Sequence, residues 1–315
     1  MAHREKQTEG DRPAHILFVF LDGVGLGPAT GSNPFATLSL PAFERLAGGQ
    51  RWTADAVPVQ QPRHVFVPID ATLGLEGLPQ SGTGQASLFT GDNAAAVHGR
   101  HFGPYPPTTV RPLVAEKSVF AQLAAAGVPG DDLAFANAYP DRFFRFVERR
   151  GRWTVTTLAA HAAGVRLRRL ADLRAGRALA ADLTAEGWHA FAPDLAVRTP
   201  PEAARQLAAL ADGHGVTLFE VFHTDKAGHS RDAARAAAVL ARLDAFLGAL
   251  VDALPDDALL VLTSDHGNLE DLSTKSHTRN PVPLLAWGPG ADAFAEAGSL
   301  LDVTPRIVGL MTGAA

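Results

Sequence analysis

HILFVFL, residues 15–21, is followed at once by DGVGLG, residues 22–27. The first stretch is a short, almost entirely apolar run, which is typical of a β-strand that is buried on both faces of a parallel sheet. The second stretch is a glycine-rich turn that begins with an aspartate. We therefore predict that Asp22 lies at the carboxyl end of a buried strand.

Comparable apolar runs occur three more times, at residues 216–222, 258–263 and 282–287. Between the first two of these, residues 232–254 carry apolar side chains at spacings of three and four, which predicts a long amphipathic helix. Strands that alternate with helices indicate an α/β fold with a doubly wound, mainly parallel sheet. Such sheets bind their ligands beyond the carboxyl ends of the strands.

The middle of the chain differs from its flanks in charge. Residues 96–195 contain thirteen basic and nine acidic residues, whereas the remainder contains fifteen basic and twenty-four acidic residues. A stretch rich in Gly, Pro and His, residues 98–107, opens this region and suits a hinge. We predict a core domain formed by residues 1–95 and 196–315, with residues 96–195 as a smaller inserted cap domain.

The composition is typical of a globular protein and excludes some kinds of site. Of 315 residues, 46% are hydrophobic and 19% are charged, with a formal net charge of −5, which is ordinary for a globular protein and does not indicate a nucleic-acid or membrane partner. The absence of cysteine excludes disulfides and thiolate metal sites. Residues 1–14 are polar and contain no apolar signal sequence, so we expect a frayed tail and a cytoplasmic location.

Aspartate and histidine residues follow or precede the predicted strands. Each has an ordinary explanation when taken alone, since Asp-Gly often forms a turn and a lone histidine is usually exposed. Their convergence at strand ends of one α/β sheet instead predicts a metal site. Carboxylates mixed with imidazoles suit Mn²⁺, Zn²⁺ or Fe²⁺ better than Ca²⁺. The predicted ligands are Asp22, Asp225, His229, Asp265, His266 and His277.

Four sequence blocks resemble the alkaline phosphatase superfamily, and within it cofactor-independent phosphoglycerate mutase and phosphopentomutase. TSDHGNLE at 263–270 is similar to the T-A-D-H-G-N-x-E block, and HTRNPVP at 277–283 to the H-T-x-N-P-V-P block. DKAGH at 225–229 is similar to the D-x-x-x-H block, and FLDGVG at 20–25 to the first metal-binding strand end. The resemblance implies an alkaline-phosphatase-like core that binds two divalent ions, Mn²⁺ or Zn²⁺.

The resemblance also implies a division of the ligands and a nucleophile. One ion would bind Asp225, His229 and His277, and the other Asp22, Asp265, His266 and the nucleophile oxygen. The family's nucleophile is a Ser or Thr at a helix start, three residues before a glycine. In PQSGTGQAS, residues 79–87, this pattern selects Ser81, with Thr83 as the alternative. Since the imidazoles must be neutral to bind metal, activity should fall at acid pH.

These residues predict metal-dependent phosphoryl transfer on a small phosphorylated metabolite, by a phosphomutase or a phosphatase that forms a phosphoserine intermediate. The alternatives are a phosphodiesterase or sulfatase of the same superfamily, or a metal-binding relative without activity. No segment resembles the large substrate domain of the mutase, so the substrate stays open. We expect cap arginines such as Arg142 and Arg145 to supply positive charge to the substrate.

Overall fold

The computed structural model describes residues 12–313. Residues 1–11, which make up most of the predicted frayed tail, and residues 314–315 lie outside this range. None of the helices in the described range is both long and apolar enough to cross a membrane.

Seven strands in the described range form one sheet. They are β1 (His15–Leu21), β2 (Val59–Gln61), β3 (His64–Ile69), β4 (Leu133–Phe135), β5 (Val216–Val221), β6 (Ala258–Thr263) and β7 (Val282–Trp287), in the spatial order β2-β3-β7-β6-β1-β5-β4. The pairs β6–β1, β1–β5 and β5–β4 are parallel, whereas β2–β3, β3–β7 and β7–β6 are antiparallel. All strands except β2 and β7 therefore run in one direction, which confirms the predicted α/β fold with a mainly parallel sheet.

Thirteen α-helices lie in the described range. They are α1 (Pro34–Thr37), α2 (Pro41–Leu46), α3 (Ser81–Thr90), α4 (Ala94–His98), α5 (Arg111–Lys117), α6 (Val119–Ala125), α7 (Asp141–Arg150), α8 (Val155–Ala162), α9 (Leu170–Arg174), α10 (Pro200–Asp212), α11 (His223–Ser230), α12 (Ala233–Ala253) and α13 (Val303–Thr312). The predicted long amphipathic helix is α12. Its first turn is capped by Asp232, whose carboxylate accepts hydrogen bonds from the backbone N–H groups of Ala234 and Arg235.

The sheet is covered by helices on both faces because its strands are apolar on both faces. In β1, Ile16, Phe18 and Phe20 belong to a hydrophobic cluster that includes residues of α3, α5, α6, α8 and α13. The alternate residues Leu17 and Val19 belong to a second cluster, with residues of α2, α10 and α12. Alternation along one strand thus divides the core into two layers.

The direction of β7 explains why His277 precedes its strand. β7 is antiparallel to β6, and Leu284 lies opposite Thr263, the last residue of β6. The amino end of β7 therefore lies at the edge of the sheet where β1, β5 and β6 end. Residues that enter β7 reach the same edge as residues that leave the parallel strands, and this edge carries all the predicted ligands.

The predicted cap, residues 96–195, is attached closely to the rest of the molecule. Strand β4 pairs with β5 in the central sheet, and side chains of α5, α6 and α8 pack in the main core. Later residues of this range share a small cluster of their own, formed around Trp188 and Leu173. The division into core and cap remains a prediction, and the residues around this small cluster are the part of the range that is packed most independently.

Candidate metal centre

Two groups of potential ligands lie at the carboxyl edge of the sheet. Asp22 follows β1 directly, and Asp265 and His266 lie in the turn after β6; the three side chains are buried, and their ligand atoms all lie within 4.8 Å of one another. The second group joins Asp225 and His229, four residues apart on α11, to His277, again within 4.8 Å. The structure thus brings together all six residues, in the same two groups that the resemblance implies.

Backbone carbonyls orient the imidazoles of the second group. Nδ1 of His277 lies 2.7 Å from the carbonyl oxygen of Pro79, and Nδ1 of His229 lies 2.8 Å from that of Lys275. Because a carbonyl can only accept, each Nδ1 must carry the proton, which leaves a lone pair on each Nε2 when the ring is neutral. The two Nε2 atoms are 3.2 Å apart and face the carboxylate of Asp225.

His266 is arranged in a similar way in the other group. Its Nδ1 faces the carbonyl of Gly267 at 3.4 Å, and its Nε2 lies 3.4 to 3.5 Å from carboxylate oxygens of Asp265 and Asp22. The ring also stacks on that of His277, with the centroids 3.7 Å apart. The imidazoles of the two groups are therefore neighbours, and all three direct Nε2 toward carboxylates.

The electrostatics of the metal-free site are unfavourable. Burial, together with the charges of Asp265 and Asp225, raises the pKa of Asp22 well above its usual value. Burial and the charge of Asp225 likewise raise the pKa of Asp265. Burial, followed by the charge of His277, lowers the pKa of His266 well below the usual histidine value. The carboxylates therefore crowd negative charge together, and the imidazole among them resists the proton that would neutralise it.

These features fit a bound cation. Asp22 Oδ1 and Asp265 Oδ2 are buried and have no hydrogen-bond partner among the described residues. Two Nε2 lone pairs that face each other at 3.2 Å repel unless a positive charge lies between them. A divalent ion binds carboxylate oxygen and neutral imidazole at about 2.0–2.2 Å and would satisfy both demands. The set of donor atoms therefore fits a divalent metal ion.

Ser81 lies beside the first group. It is the first residue of α3, it is buried, and its Oγ lies 3.0 Å from Nε2 of His266. The backbone N–H groups at the start of a helix, with the positive end of the helix dipole, favour an anion at this position. Ser81 is thus placed between a predicted metal ligand and a helix N-terminus.

The hydroxyl of Thr83, the alternative nucleophile, is engaged elsewhere. It accepts a hydrogen bond of 3.1 Å from the backbone N–H of Phe102, and the Thr83 N–H donates to the Phe102 carbonyl at 2.9 Å. These bonds join α3 to the segment 98–107. The geometry therefore favours Ser81 over Thr83 as the residue that faces the metal ligands.

Two buried residues that sequence reasoning did not nominate hold the ligands in place. Asn268 donates from Nδ2 to the Asp225 carboxylate at 2.6 Å. Glu270 accepts hydrogen bonds from the backbone N–H groups of Gly25 and Asn268, and from side chains of the segment 278–280. Glu270 therefore ties together the turns that follow β1 and β6 and the segment that precedes β7. Both residues lie within the block 263–270, and its resemblance to the family block is the sequence feature that could have identified them.

Comparison with known families supports the metal site. Residues 199–313 match the model of the family described as Metalloenzyme superfamily. This range contains five of the six predicted ligands, all except Asp22. The resemblance suspected from the sequence is thereby confirmed.

Curated relatives also match only part of this chain. The 2,3-bisphosphoglycerate-independent phosphoglycerate mutase of Cereibacter sphaeroides (strain ATCC 17025 / ATH 2.4.3) is 32% identical over 111 residues, which is 33% of this chain and 22% of the relative. The phosphopentomutase of Deinococcus radiodurans is 42% identical over 92 residues, 28% of this chain and 24% of the relative. The matches thus span about a quarter or less of each relative, so the activities of these proteins are not transferred by similarity alone.

Solved structures support the fold over nearly the whole chain. The alkaline phosphatase from the Antarctic bacterium TAB5 superposes with a TM-score of 0.55, covering 96% of this chain and 99% of that one, at 14% identity. At this level of identity, the similarity shows that this chain has an alkaline-phosphatase-like fold.

Proposed function

We propose that this protein catalyses metal-dependent phosphoryl transfer from a small phosphomonoester, with Ser81 as the nucleophile. The observation that carries the proposal is the position of the Ser81 hydroxyl, 3.0 Å from Nε2 of His266 and at the first residue of α3. A serine hydroxyl is a weak nucleophile unless its environment activates it. Both the predicted ligands and the helix N-terminus converge on this one oxygen.

The residues divide the chemistry between them. Two divalent ions, when bound, would lower the pKa of the Ser81 hydroxyl and neutralise charge on the phosphoryl oxygens. Asp22, Asp265 and His266 would hold one ion, and Asp225, His229 and His277 the other. Asn268 and Glu270 keep these side chains in place through the hydrogen bonds described above.

The proposed reaction has two steps, phosphorylation of Ser81 and transfer of the phosphoryl group to an acceptor. Ser81 Oγ forms a bond to phosphorus while the ester P–O bond breaks, the hydroxyl proton is released, and the leaving oxygen takes up a proton. The resulting phosphoserine then passes its phosphoryl group to an acceptor hydroxyl. In a mutase the acceptor is another hydroxyl of the same metabolite, and in a phosphatase it is water. Because the named relatives are mutases of phosphorylated acids and sugars, we propose such metabolites as the first substrates to test.

The segments beyond the core would select the substrate. The small cluster around Trp188 is the part of residues 96–195 that packs most independently, whereas Phe143 and Phe144 of α7 pack against the main core. Arg145 and Arg149 of α7 are exposed and form no ion pair within residues 12–313. We keep the proposal that arginines of this region bind the substrate's charge and orient it, while the metal ligands come from the core.

Replacing the nucleophile tests the proposal. Ser81→Ala should lower turnover by at least about 10³-fold, since a covalent nucleophile is lost, while the fold and metal binding persist. Acid quenching with ³²P-labelled substrate should trap a phosphoenzyme in the wild type and none in Ser81→Ala. Thr83→Ser, which retains a hydroxyl at 83, is the matched control and should retain both turnover and labelling.

The product distinguishes the two versions of the activity. Purified enzyme with Mn²⁺ or Zn²⁺ should be incubated with phosphorylated acids and sugars, and free phosphate and isomerised ester measured separately. Isomerised ester identifies a mutase, and free phosphate identifies a phosphatase. Normal phosphoenzyme formation in Ser81→Ala, with its loss in Thr83→Ala, would assign the nucleophile to Thr83.

A further inference from the structure

The second half of the loop that leads to Ser81 has little packing: Ala71 and Leu73 lie in the hydrophobic core, whereas Gly74 and residues 76–78 are exposed. Residues 71–80 contain no helix or strand and connect β3 to α3. Leu73, Gly74 and Gly77 have positive φ angles of 55°, 72° and 92°. A Cβ atom added at Gly74 would meet no atom within 4 Å, and one at Gly77 would meet only the edge of His101 at 4.0 Å. The position of residues 74–78 therefore depends on hydrogen bonds more than on apolar contacts.

One short segment, residues 277–279, supplies hydrogen bonds to three alternate carbonyls of this loop. The guanidinium of Arg279 donates to the carbonyl of Gly77, and also to that of Leu75 at 3.3 Å. His277 donates from Nδ1 to the carbonyl of Pro79 at 2.7 Å. The same segment thus carries a predicted metal ligand and restrains the backbone that ends at the nucleophile.

We propose that Arg279 is a positioning residue that holds Ser81 in its reactive place by fixing the backbone at Leu75 and Gly77. This inference rests on the proposed function, because the position of Ser81 matters for rate only if Ser81 is the nucleophile. One guanidinium nitrogen, Nη1, donates to both carbonyls, and the planar group fixes the directions of its two N–H bonds, which the freely rotating ammonium of lysine does not. Without the guanidinium, the carbonyls of Leu75 and Gly77 lose these bonds, whereas the bonds on either side, from Asn93 to the Leu73 carbonyl and from His277 to the Pro79 carbonyl, remain.

The expected size of the effect follows from the geometry of the attack. A displacement of about 1 Å at the reacting atom can lower a rate by about 10²-fold. The candidate ligands lie outside the loop, and the Pro79 carbonyl that accepts from His277 Nδ1 is not bonded to Arg279, so loss of Arg279 should change the affinity for metal much less than the rate. We therefore expect loss of Arg279 to lower the rate of phosphoryl transfer without a matching loss of metal affinity.

The test compares Arg279→Ala and Arg279→Lys in the full-length, metal-loaded protein. Hydrogen exchange should show faster exchange of amides in residues 72–81 in Arg279→Ala. The single-turnover rate of Ser81 phosphorylation should fall by about 10²-fold, with a smaller fall in Arg279→Lys. KM and the affinity for Mn²⁺ should each change by less than about threefold, and added guanidinium ion should partly restore Arg279→Ala. Arg63→Ala is the control, since Arg63 also donates to a backbone carbonyl, that of Asp256, at the opposite edge of the sheet.

Different roles of Arg279 would give different results. A large rise in KM with unchanged exchange in residues 72–81 would show that Arg279 binds substrate, and would overturn the proposal. A loss of Mn²⁺ affinity as large as the loss of rate would show that Arg279 acts through His277, and would overturn it as well. If Ser81→Ala still forms the phosphoenzyme, the proposed nucleophile is wrong, whereas the exchange measurement still reports whether Arg279 holds the loop.

Discussion

The crowding of carboxylates predicts that removal of one of them stabilises the metal-free protein. We consider Asp265→Asn, because Asn has the same shape and can still accept the 3.4 Å hydrogen bond from the Gly23 N–H. In the metal-free wild type, Asp265 and Asp22 are buried neighbours whose pKa values are both raised. The substitution removes one of the two buried charges that repel each other.

The structure sets the scale of the effect. Ligand oxygens of Asp22 and Asp265 lie within 4.8 Å of each other. At that separation and an effective dielectric constant of about 20, two unit charges repel by roughly 3 kcal/mol. A shorter separation would increase this repulsion, but protonation of either carboxyl relieves part of it, so we expect a net effect of up to about 3 kcal/mol. For a chain of this size, it corresponds to an increase in Tm of up to about 6 °C.

The stability of the metal-free protein should fall as the pH rises. A carboxyl whose pKa is raised by folding stabilises the folded protein at low pH, and this contribution is lost as the pH rises through the raised pKa. The metal-free wild type should therefore lose stability from the usual aspartate range toward neutral pH, and Asp265→Asn should lose less. A bound ion favours the deprotonated carboxylate, so the stabilisation by metal should grow over the same range.

Calorimetry with chelator and with excess Mn²⁺ or Zn²⁺ measures both effects. At a metal concentration of about 100 times Kd, the wild type should gain about 2.7 kcal/mol, or roughly 5 °C in Tm. In Asp265→Asn, the metal-free Tm should rise and the gain from metal should shrink. Asp252→Asn, which removes only an exposed ion pair with Arg45 on the surface, should change the metal-free stability by less than about 1 kcal/mol and the gain from metal not at all. A lower metal-free Tm in Asp265→Asn, combined with an undiminished gain from metal, would refute the reasoning.

Two further predictions concern the supports of the fold. In Gly25→Ala, the added Cβ atom would clash with Glu270 Oε1, so the substitution should destabilise the protein by about 1–3 kcal/mol in urea unfolding and weaken metal binding. Gly31→Ala is the control and should do neither, because its Cβ atom would meet no atom within 4 Å. Equal effects of the two substitutions would contradict this prediction. Burial alone would raise the pKa of Asp172, but the Arg169 N–H and the guanidinium of Arg166 lower it overall. Asp172→Asn should therefore cost about 1–2 kcal/mol at pH 7, and the difference should shrink as the pH falls below the usual aspartate pKa; a difference independent of pH would contradict the assignment.

The central strands could be predicted from the sequence because they are long apolar runs. Residues 15–21, 258–263 and 282–287 form strands with the expected bounds, and the run at 216–222 ends one residue early, at Val221. Strands β2 and β4, of three residues each, are too short to produce a recognisable pattern. The antiparallel direction of β7 could not be predicted either, because an apolar run has the same composition in both directions.

The convergence of the candidate ligands could be predicted because charged and imidazole groups at strand ends are conspicuous in an apolar sequence; their role as ligands stays a prediction. Their supports were harder to find. Glu270 and Asn268 act through hydrogen bonds to residues as distant in sequence as Gly25 and Asp225. Such pairings exist only after the turns at the sheet edge have been brought together, and no local pattern encodes them. The preference for Ser81 over Thr83 came from the sequence pattern, and the contact between Thr83 and Phe102 adds a reason that only the structure could give.

The tautomers of the three histidines connect the fold to the chemistry. His229, His266 and His277 each turn Nδ1 toward a backbone carbonyl, and these carbonyls belong to three different segments, at Lys275, Gly267 and Pro79. A carbonyl oxygen cannot donate, so the backbone itself selects the Nδ1–H tautomer and leaves Nε2 as the ligand atom. The affinity for metal should therefore depend on the course of the backbone as well as on the ligand side chains. The carbonyl of Pro79 belongs to the loop that ends at Ser81, so the backbone group that prepares His277 to bind metal lies two residues from the hydroxyl that the metal would activate.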